Sequence, residues 1–243
     1  VHEQGTGWHG CDIIVFYLLG AEKIYTTDVR DLLKMELMKK VVQFLNQNIE
    51  DYKPYEEKIQ FLKVNSDKSR VEFLNSINAS YFINENFGGK KNSWEGICEG
   101  FDLFYSDSVL QRFKVSDLKG YIEYSVSLSN KGAVHLHKID CKDFFAIRNK
   151  AVPPLYYLTI NKLLWENITC KKLNYQNRLR IFEFQFLFNQ YFSQVKTFNE
   201  VLTSEAQNYI EKNNIQKKYS GKYTAEEISI VQFELISIAG QQK

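Results

Sequence analysis

Apolar residues recur along this chain with two periods, and their succession predicts an order of elements. "VHEQ" reads as a short strand entering the turn "GTGWH". "CDIIVFYLLGA" has helical length and a glycine near its end, the residue favoured just past a helix C-terminus. "KIYTTDV" follows as a β-branched and aromatic strand, so residues 1–28 read as a strand–helix–strand crossover. Leu32, Leu33, Leu37, Val41, Val42 and Leu45 fall at helical spacing and predict an amphipathic helix, with residues 53–70 as further helix and loop. "ASYFIN" (79–84) is a candidate third strand, and "NENFGGKKNSWEG" is the most loop-like stretch. "FDLFYSDSVL" predicts a strand that breaks at Ser-Asp-Ser, "VSDLKGYIEYSVSLS" a helix, "NKG" a turn and "AVHLHKID" another strand. Such βα alternation argues a parallel sheet with helices on both faces.

Beyond Asp140 the pattern changes. Residues 144–176 hold Pro153, Pro154 and many bulky apolar side chains, and are expected to form a lid or substrate insertion within a single domain spanning 1–243. "NRLRIFEFQFLFNQYF" returns to a helix and "SQVKTFNEVL" to a strand; "TAEEISIV" and "QFELISIAG" close the chain as a short helix and a last strand.

Composition narrows the classes. A length of 243 residues with 44% apolar and 25% charged residues suits one large α/β domain. The longest apolar run, Ile13 to Leu19, falls far short of the ~18 residues of a membrane span. A net charge of +2 gives no argument for a nucleic-acid or membrane-surface partner. Cys11, Cys98, Cys141 and Cys170 lie far apart, so neither a zinc site nor a disulfide framework is expected. They read as reduced, mostly buried thiols of a cytoplasmic protein. The chain opens without Met and already inside a strand, and the natural protein is expected to continue upstream of Val1.

Candidate chemistry concentrates at the first turn. Gly5, Gly7 and Gly10 spell G-x-G-x-x-G between a strand and a helix, with Asp28 about twenty residues further on, the pattern that places an anionic cofactor group at a helix N-terminus. A tight turn with no ligand is the alternative. Glu3 discriminates between cofactors: a carboxylate there repels a pyrophosphate but suits the cationic amino-acid and sulfonium part of S-adenosylmethionine. His9, where a glycine would ease a pyrophosphate's approach, points the same way. Asp28 can take ribose hydroxyls in either case.

"EQGTGWHGCDIIVFYLLGAEKIYTTD" resembles motif I and the ribose acid of class I S-adenosylmethionine-dependent methyltransferases, in particular bacterial members reading E-x-G-T-G-W. "FDLFYSDSVLQRF", "HKIDCKDFF", "YQNRLRIFEF" and "YTAEEISIVQFELISIAG" are similar to later segments of that family. The resemblance implies a Rossmann-like α/β fold: a mostly parallel seven-stranded sheet whose last strand runs antiparallel between its two predecessors. It implies S-adenosylmethionine held by Glu3, Gly5, Thr6, Gly7, Trp8 and Asp28, with Asn84 near the adenine and Ser106 beside the methyl group. Where relatives commonly read D-H-F, this chain has Asp143-Phe144-Phe145, so a histidine base is not inherited there.

Further candidates come from residue type and spacing. His135 and His137 share a strand face with Asp140 close behind, and His137 with Asp140 are the candidate base and its orienter, a buried structural histidine being the alternative. Asp107 is a third catalytic candidate, with a helix N-cap as its alternative role. Arg178 is expected to hold an acidic substrate group and Arg180 to be a solvated or helix-pairing charge, or the reverse. Tyr157 in "PPLYY" and Trp165 cap a substrate or extend the core. These features favour methyl transfer to a small-molecule or glycan-type acceptor, on oxygen. The alternatives are an NAD-dependent oxidoreductase and a non-catalytic cofactor-binding or scaffold protein.

Overall fold

The computed structural model describes residues 1–83, 100–169, 175–219 and 221–240. Seven strands lie in the order β3-β2-β1-β4-β5-β7-β6, and the chain divides into two compact units, Val1–Phe87 and Gly88–Lys243.

In the first unit β1 (His2–Gln4), α1 (Cys11–Leu18) and β2 (Ile24–Asp28) form the expected crossover, with His2 to Gln4 in parallel register with Tyr25 to Thr27. α2 (Met35–Gln47) buries Met38, Val42 and Leu45 along one stripe. A 3-10 turn at Ile49–Tyr55 leads into α3 (Glu56–Asn65). α4 (Arg70–Ser76) lies beyond the predicted elements, although its start was legible: Ser69 and Glu72 make a reciprocal capping box. β3 (Ala79–Ile83) pairs in parallel with β2. The predicted strand residue Asn84, the loop after it, Cys98 and Cys170 lie outside the described residues.

The second unit opens with β4 (Phe101–Asp107), which runs through Ser106 and Asp107 where the sequence predicted a break. The chain turns at Ser108, whose φ of 58° is left-handed. A 3-10 turn at Leu110–Arg112 and α5 (Val115–Ser127) follow. β5 (Ser129–Asp140) takes in the predicted "NKG" turn, with Gly132 at a positive φ inside the strand. α6 (Phe144–Arg148), a 3-10 turn at Tyr156–Leu158 and α7 (Lys162–Thr169) make up the described part of the segment expected to be an insertion. α8 (Ile181–Phe188) is shorter than predicted, leaving Arg178 and Arg180 ahead of it. β6 (Gln194–Leu202), α9 (Ser204–Lys212), a 3-10 turn at Ile215–Tyr219, α10 (Ala225–Ser229) and β7 (Ile230–Ile238) complete the unit. β4 and β5 are parallel, and β7 runs antiparallel to both β5 and β6 between them, as the family resemblance implied.

Tyr157 and Trp165 are core residues. They pack with Leu155, Leu158, Ala206, Ile210, Ile215, Ile228 and Val231 in one buried cluster, and the Trp165 indole N–H donates to the Gln176 carbonyl at 2.9 Å. Burying such side chains contributes about 1.5–3 kcal/mol each. Tyr157 therefore has no surface to offer a substrate, and the core-extension alternative describes it.

Arg180 anchors this cluster, fully buried at 0% exposure. Its Nε donates to the Ile228 carbonyl at 3.0 Å, Nη1 to the Tyr157 hydroxyl at 2.9 Å and Nη2 to the Ile230 carbonyl. The Tyr157 hydroxyl in turn donates to the Cys141 carbonyl at 2.9 Å. Fixed neutral dipoles thus replace water around a permanent cation. Neither expectation for Arg180, a solvated charge or a substrate anchor, describes it. Arg180→Met keeps most of the volume while orphaning these acceptors, and is expected to cost roughly 3–5 kcal/mol of stability. Urea unfolding with an unchanged m-value checks this; a loss under about 1 kcal/mol would show the network to be dispensable.

Candidate functional site

The glycine turn is built on the two adjacent strands of the first unit. Amides of Gly5 and Thr6 both donate to the Thr27 carbonyl, at 2.7 and 3.2 Å, so β2 supplies the floor on which the turn folds back. Thr6 Oγ1 also meets Thr26 Oγ1. Gly5, Gly7 and Gly10 all have positive φ, 86°, 66° and 58°. At Gly7 an added Cβ would meet nothing within 4 Å, which leaves the turn's outer side clear for a ligand. Gly10 serves packing instead: its Cβ would stand 2.8 Å from Leu33 Cδ1 and 3.1 Å from Met38 Cε, both buried.

Asp28, at the end of β2, is buried beside this turn. Its Oδ2 accepts from the Gly7 amide at 2.9 Å, while Oδ1 has only a 3.4 Å contact from the Arg30 amide. The acid fixes the turn and keeps one oxygen largely uncommitted. The segment after it is held by groups not expected from the sequence. Tyr81 donates to the Arg30 carbonyl at 2.7 Å and accepts from the Leu32 amide at 3.0 Å, and Arg70 pairs with Asp31 and donates to the Leu33 carbonyl at 2.8 Å. Nothing in the local spacing marks these residues, because the sheet and not the motif brings them there. Trp8 is 50% exposed on the turn, its carbonyl accepting from the Lys34 amide at 3.0 Å.

Glu3 lies beneath the turn at 1% exposure. Thr26 donates to its Oε2 at 2.5 Å, and the Asp12 side chain stands within hydrogen-bonding reach of the same carboxyl. Burial pushes its pKa up to about 8; the Thr26 hydroxyl opposes this, and the Asp12 and Asp28 carboxyls add to it. Free of ligand, Glu3 therefore holds its proton to higher pH than an ordinary carboxyl. Cys11 opens α1 as an exposed thiol, contrary to the expected burial, whereas Cys141 is buried and its thiol is pushed up to about 11.

The second unit corrects the expected acid–base set. Ser106 and His137 are register partners on β4 and β5, both at 0% exposure, with Ser106 Oγ 2.8 Å from His137 Nδ1. Tyr121 and Phe188 pack edge-on or tilted against the His137 ring. His135 stacks on Phe104 at 4.5 Å and meets Ser129 Oγ at 2.8 Å; burial lowers its pKa to about 3. Ser106 and His137 thus bond each other inside the core, and neither presents surface to a cofactor or an acceptor. Asp140 stands three residues beyond His137, hence on the opposite strand face, so it does not orient that ring.

That opposite face is the polar one. Asp107 pairs with Lys138 at 3.1 Å and accepts from the Ser108 hydroxyl at 2.7 Å; both members of the pair are about one-third exposed, at 33% and 38%. Asp140 Oδ1 accepts from the Lys142 amide at 2.9 Å. Arg178 spends its guanidinium on the Ile160 and Leu158 carbonyls at 2.8 and 3.0 Å, which gives it a structural role in place of the expected substrate contact. Asp143 caps α6 through the Phe145 amide and also accepts from the Tyr157 amide, at 2.8 and 2.9 Å. Asn84 lies outside the described residues. Among the described residues no three His, Cys, Asp or Glu side chains group as metal ligands, and no helix is long and apolar enough to cross a membrane.

No family model matches this sequence, and no curated protein does. Among solved structures, an S-adenosylmethionine dependent methyltransferase from Mesorhizobium loti covers 98% of this chain and 89% of its own, at a TM-score of 0.50 and 8% identity. An O-methyltransferase family protein from Burkholderia thailandensis covers 100% of the chain at TM-score 0.49 and 8% identity. The CurJ carbon methyltransferase covers 99% at TM-score 0.47 and 14% identity. The chain spans about half the length of these last two, 51% and 48%, and their TM-scores fall short of an argument. The Mesorhizobium likeness concerns the fold: this chain has the Rossmann-like architecture of that methyltransferase.

The raised Glu3 pKa has a stability consequence. The folded state holds a proton that the unfolded chain releases near the ordinary value of 4.5, so stability is fully present below that value and is lost as pH rises toward about 8. Glu3→Gln removes this dependence. Relative to wild type it is expected to gain stability between pH 5 and 8, by up to about 1.4 kcal/mol per pH unit. Urea unfolding at both pH values measures the difference, and a gap that does not change with pH contradicts it.

Proposed function

We propose that the chain binds S-adenosylmethionine at the glycine turn and transfers its methyl group to a small-molecule or glycan-type acceptor, on oxygen. The single observation that carries this reading is Glu3: a buried carboxyl under a left-handed turn whose outer side is clear at Gly7. A pyrophosphate requires Glu3 to stay protonated and brings its own negative charge beside Asp28. A cationic ligand draws the proton off Glu3 and pairs with the carboxylate. Glu3, Gly5, Thr6, Gly7 and Trp8 hold the amino-acid end, and the uncommitted Oδ1 of Asp28 takes the ribose. Asn84 is assigned to the adenine on the family resemblance alone.

Bound there, S-adenosylmethionine supplies an electrophilic methyl group on a sulfonium. The protein's own work is orientation and exclusion of water, and a base is needed only because a hydroxyl acceptor loses its proton on attack. Asp107 and Asp140, at the carboxyl ends of β4 and β5, are the carboxylates on the polar face able to take that proton; buried His137 is not assigned the role. Lys138 orients Asp107 through their ion pair.

Titration calorimetry with S-adenosylhomocysteine and, separately, NAD tests the reading. The homocysteine adduct is expected to bind and NAD not to. Asp28→Asn keeps an acceptor for the Gly7 amide but removes the charge, and is expected to weaken binding by roughly tenfold or more. Binding of NAD in its place would establish a dinucleotide site; binding of neither would leave a scaffold role.

A further inference from the structure

The sequence singled out Arg178 as a holder of acidic groups, yet its guanidinium is consumed by carbonyls. A different pair of arginines is left with unused capacity. Arg112 ends the 3-10 turn after β4, and Arg148 ends α6, which follows β5. Both guanidinium groups stand over one ring, that of Phe144, at 4.8 and 4.6 Å from its centroid. Phe144 itself is held in place, its amide donating to Gln176 Oε1 at 3.0 Å.

The electrostatics of this cluster are incomplete. Arg112 Nη1 is buried and finds no acceptor among the described residues. Burial disfavours the charged form of Arg112, Asp140 opposes that, and the like charge of Arg148 adds to it. Two cations thus face a single nearby carboxylate, whose Oδ1 is also occupied by the Lys142 amide. An orphaned buried donor is unfavourable, and the two guanidinium groups repel each other even though each is attracted to the ring. Stacking on an aromatic face leaves the N–H edges of each guanidinium in plane and free for forked contacts to an oxyanion. The cluster also sits at the carboxyl ends of β4 and β5, the edge at which open α/β sheets take ligands.

We propose that Arg112 and Arg148, braced on Phe144, bind an oxyanion group, phosphate or carboxylate, carried by the methyl acceptor. The acceptor assignment rests on the methyl-transfer reading above; the anion site itself does not. It narrows the acceptor class from neutral sugars and phenols to molecules bearing an anionic handle.

The test titrates the full chain with inorganic phosphate and, in a second arm, with acetate, followed by calorimetry and by the Arg side-chain N–H signals in NMR. Arg148 is exposed, so Arg148→Gln leaves the fold intact; Arg112→Lys keeps a charge but removes the fork. Saturable binding of one or both anions is expected in wild type, roughly tenfold weaker in either variant, and the stronger of the two anions names the handle. No saturable binding of either anion up to about 10 mM, or binding equal in wild type and both variants, overturns the proposal. S-adenosylhomocysteine binding is measured on the same samples and is expected to be unchanged in Arg148→Gln. Anion binding without homocysteine-adduct binding would remove the methyl-transfer reading and leave the anion site standing.

Discussion

A carboxyl group removed from water must find a cation, find donors, or keep its proton, and Glu3 is left with the last of these. Around it the first unit is arranged with little freedom. Thr26 donates to one carboxyl oxygen, the Thr27 carbonyl holds the Gly5 and Thr6 amides, and Asp28 holds the Gly7 amide. The two hydroxyl residues of "IYTTD" therefore link motif, turn and ribose acid through one short strand pair. Tyr81 and Arg70 extend that support to the segment beyond Asp28. Within this frame Glu3 is the buried carboxyl whose charged form burial disfavours.

The second unit places its polar groups by strand period. On the inward face Ser106 bonds His137 and Ser129 bonds His135, among Phe104, Tyr121 and Phe188. Asp107, Lys138 and Asp140 fall on the other face, half-exposed. A buried polar residue makes a stable core only when its hydrogen bonds close locally, and Arg180 with Tyr157 shows the same solution with a full charge. Arg112, on the 3-10 turn after β4, keeps a buried donor without an acceptor among the described residues.

The first 28 residues were legible because backbone geometry dictates them: left-handed turns call for glycine, and an eight-residue helix between two parallel strands leaves few topologies. The antiparallel last strand was legible only through family resemblance, since periodicity gives a strand but not its direction. Inward and outward faces were harder to read. "HLHKID" shows that His135 and His137 share a face but not that the face is the core, and three residues of separation put Asp140 on the other side. Arg178 and Arg180 look alike in sequence, and which carbonyls consume them is decided by chain many positions away. The Arg112–Phe144 contact joins segments more than thirty residues apart, so local spacing carries no trace of it, whereas Phe144 and Arg148 share one helix turn. The capping box of α4, by contrast, was plain in "SRVE" and needed no tertiary information.

The central claim is that Glu3 gives up a proton to a cationic ligand. The direct measurement is the number of protons released when S-adenosylmethionine binds at pH 7, obtained by calorimetry in buffers of differing ionisation enthalpy, in wild type and in Glu3→Gln. Subtracting the two removes the ligand's own ionisation. Wild type is expected to release measurably more protons than the variant. Equal release in both proteins would contradict it, because Glu3 would then not sense the ligand's charge.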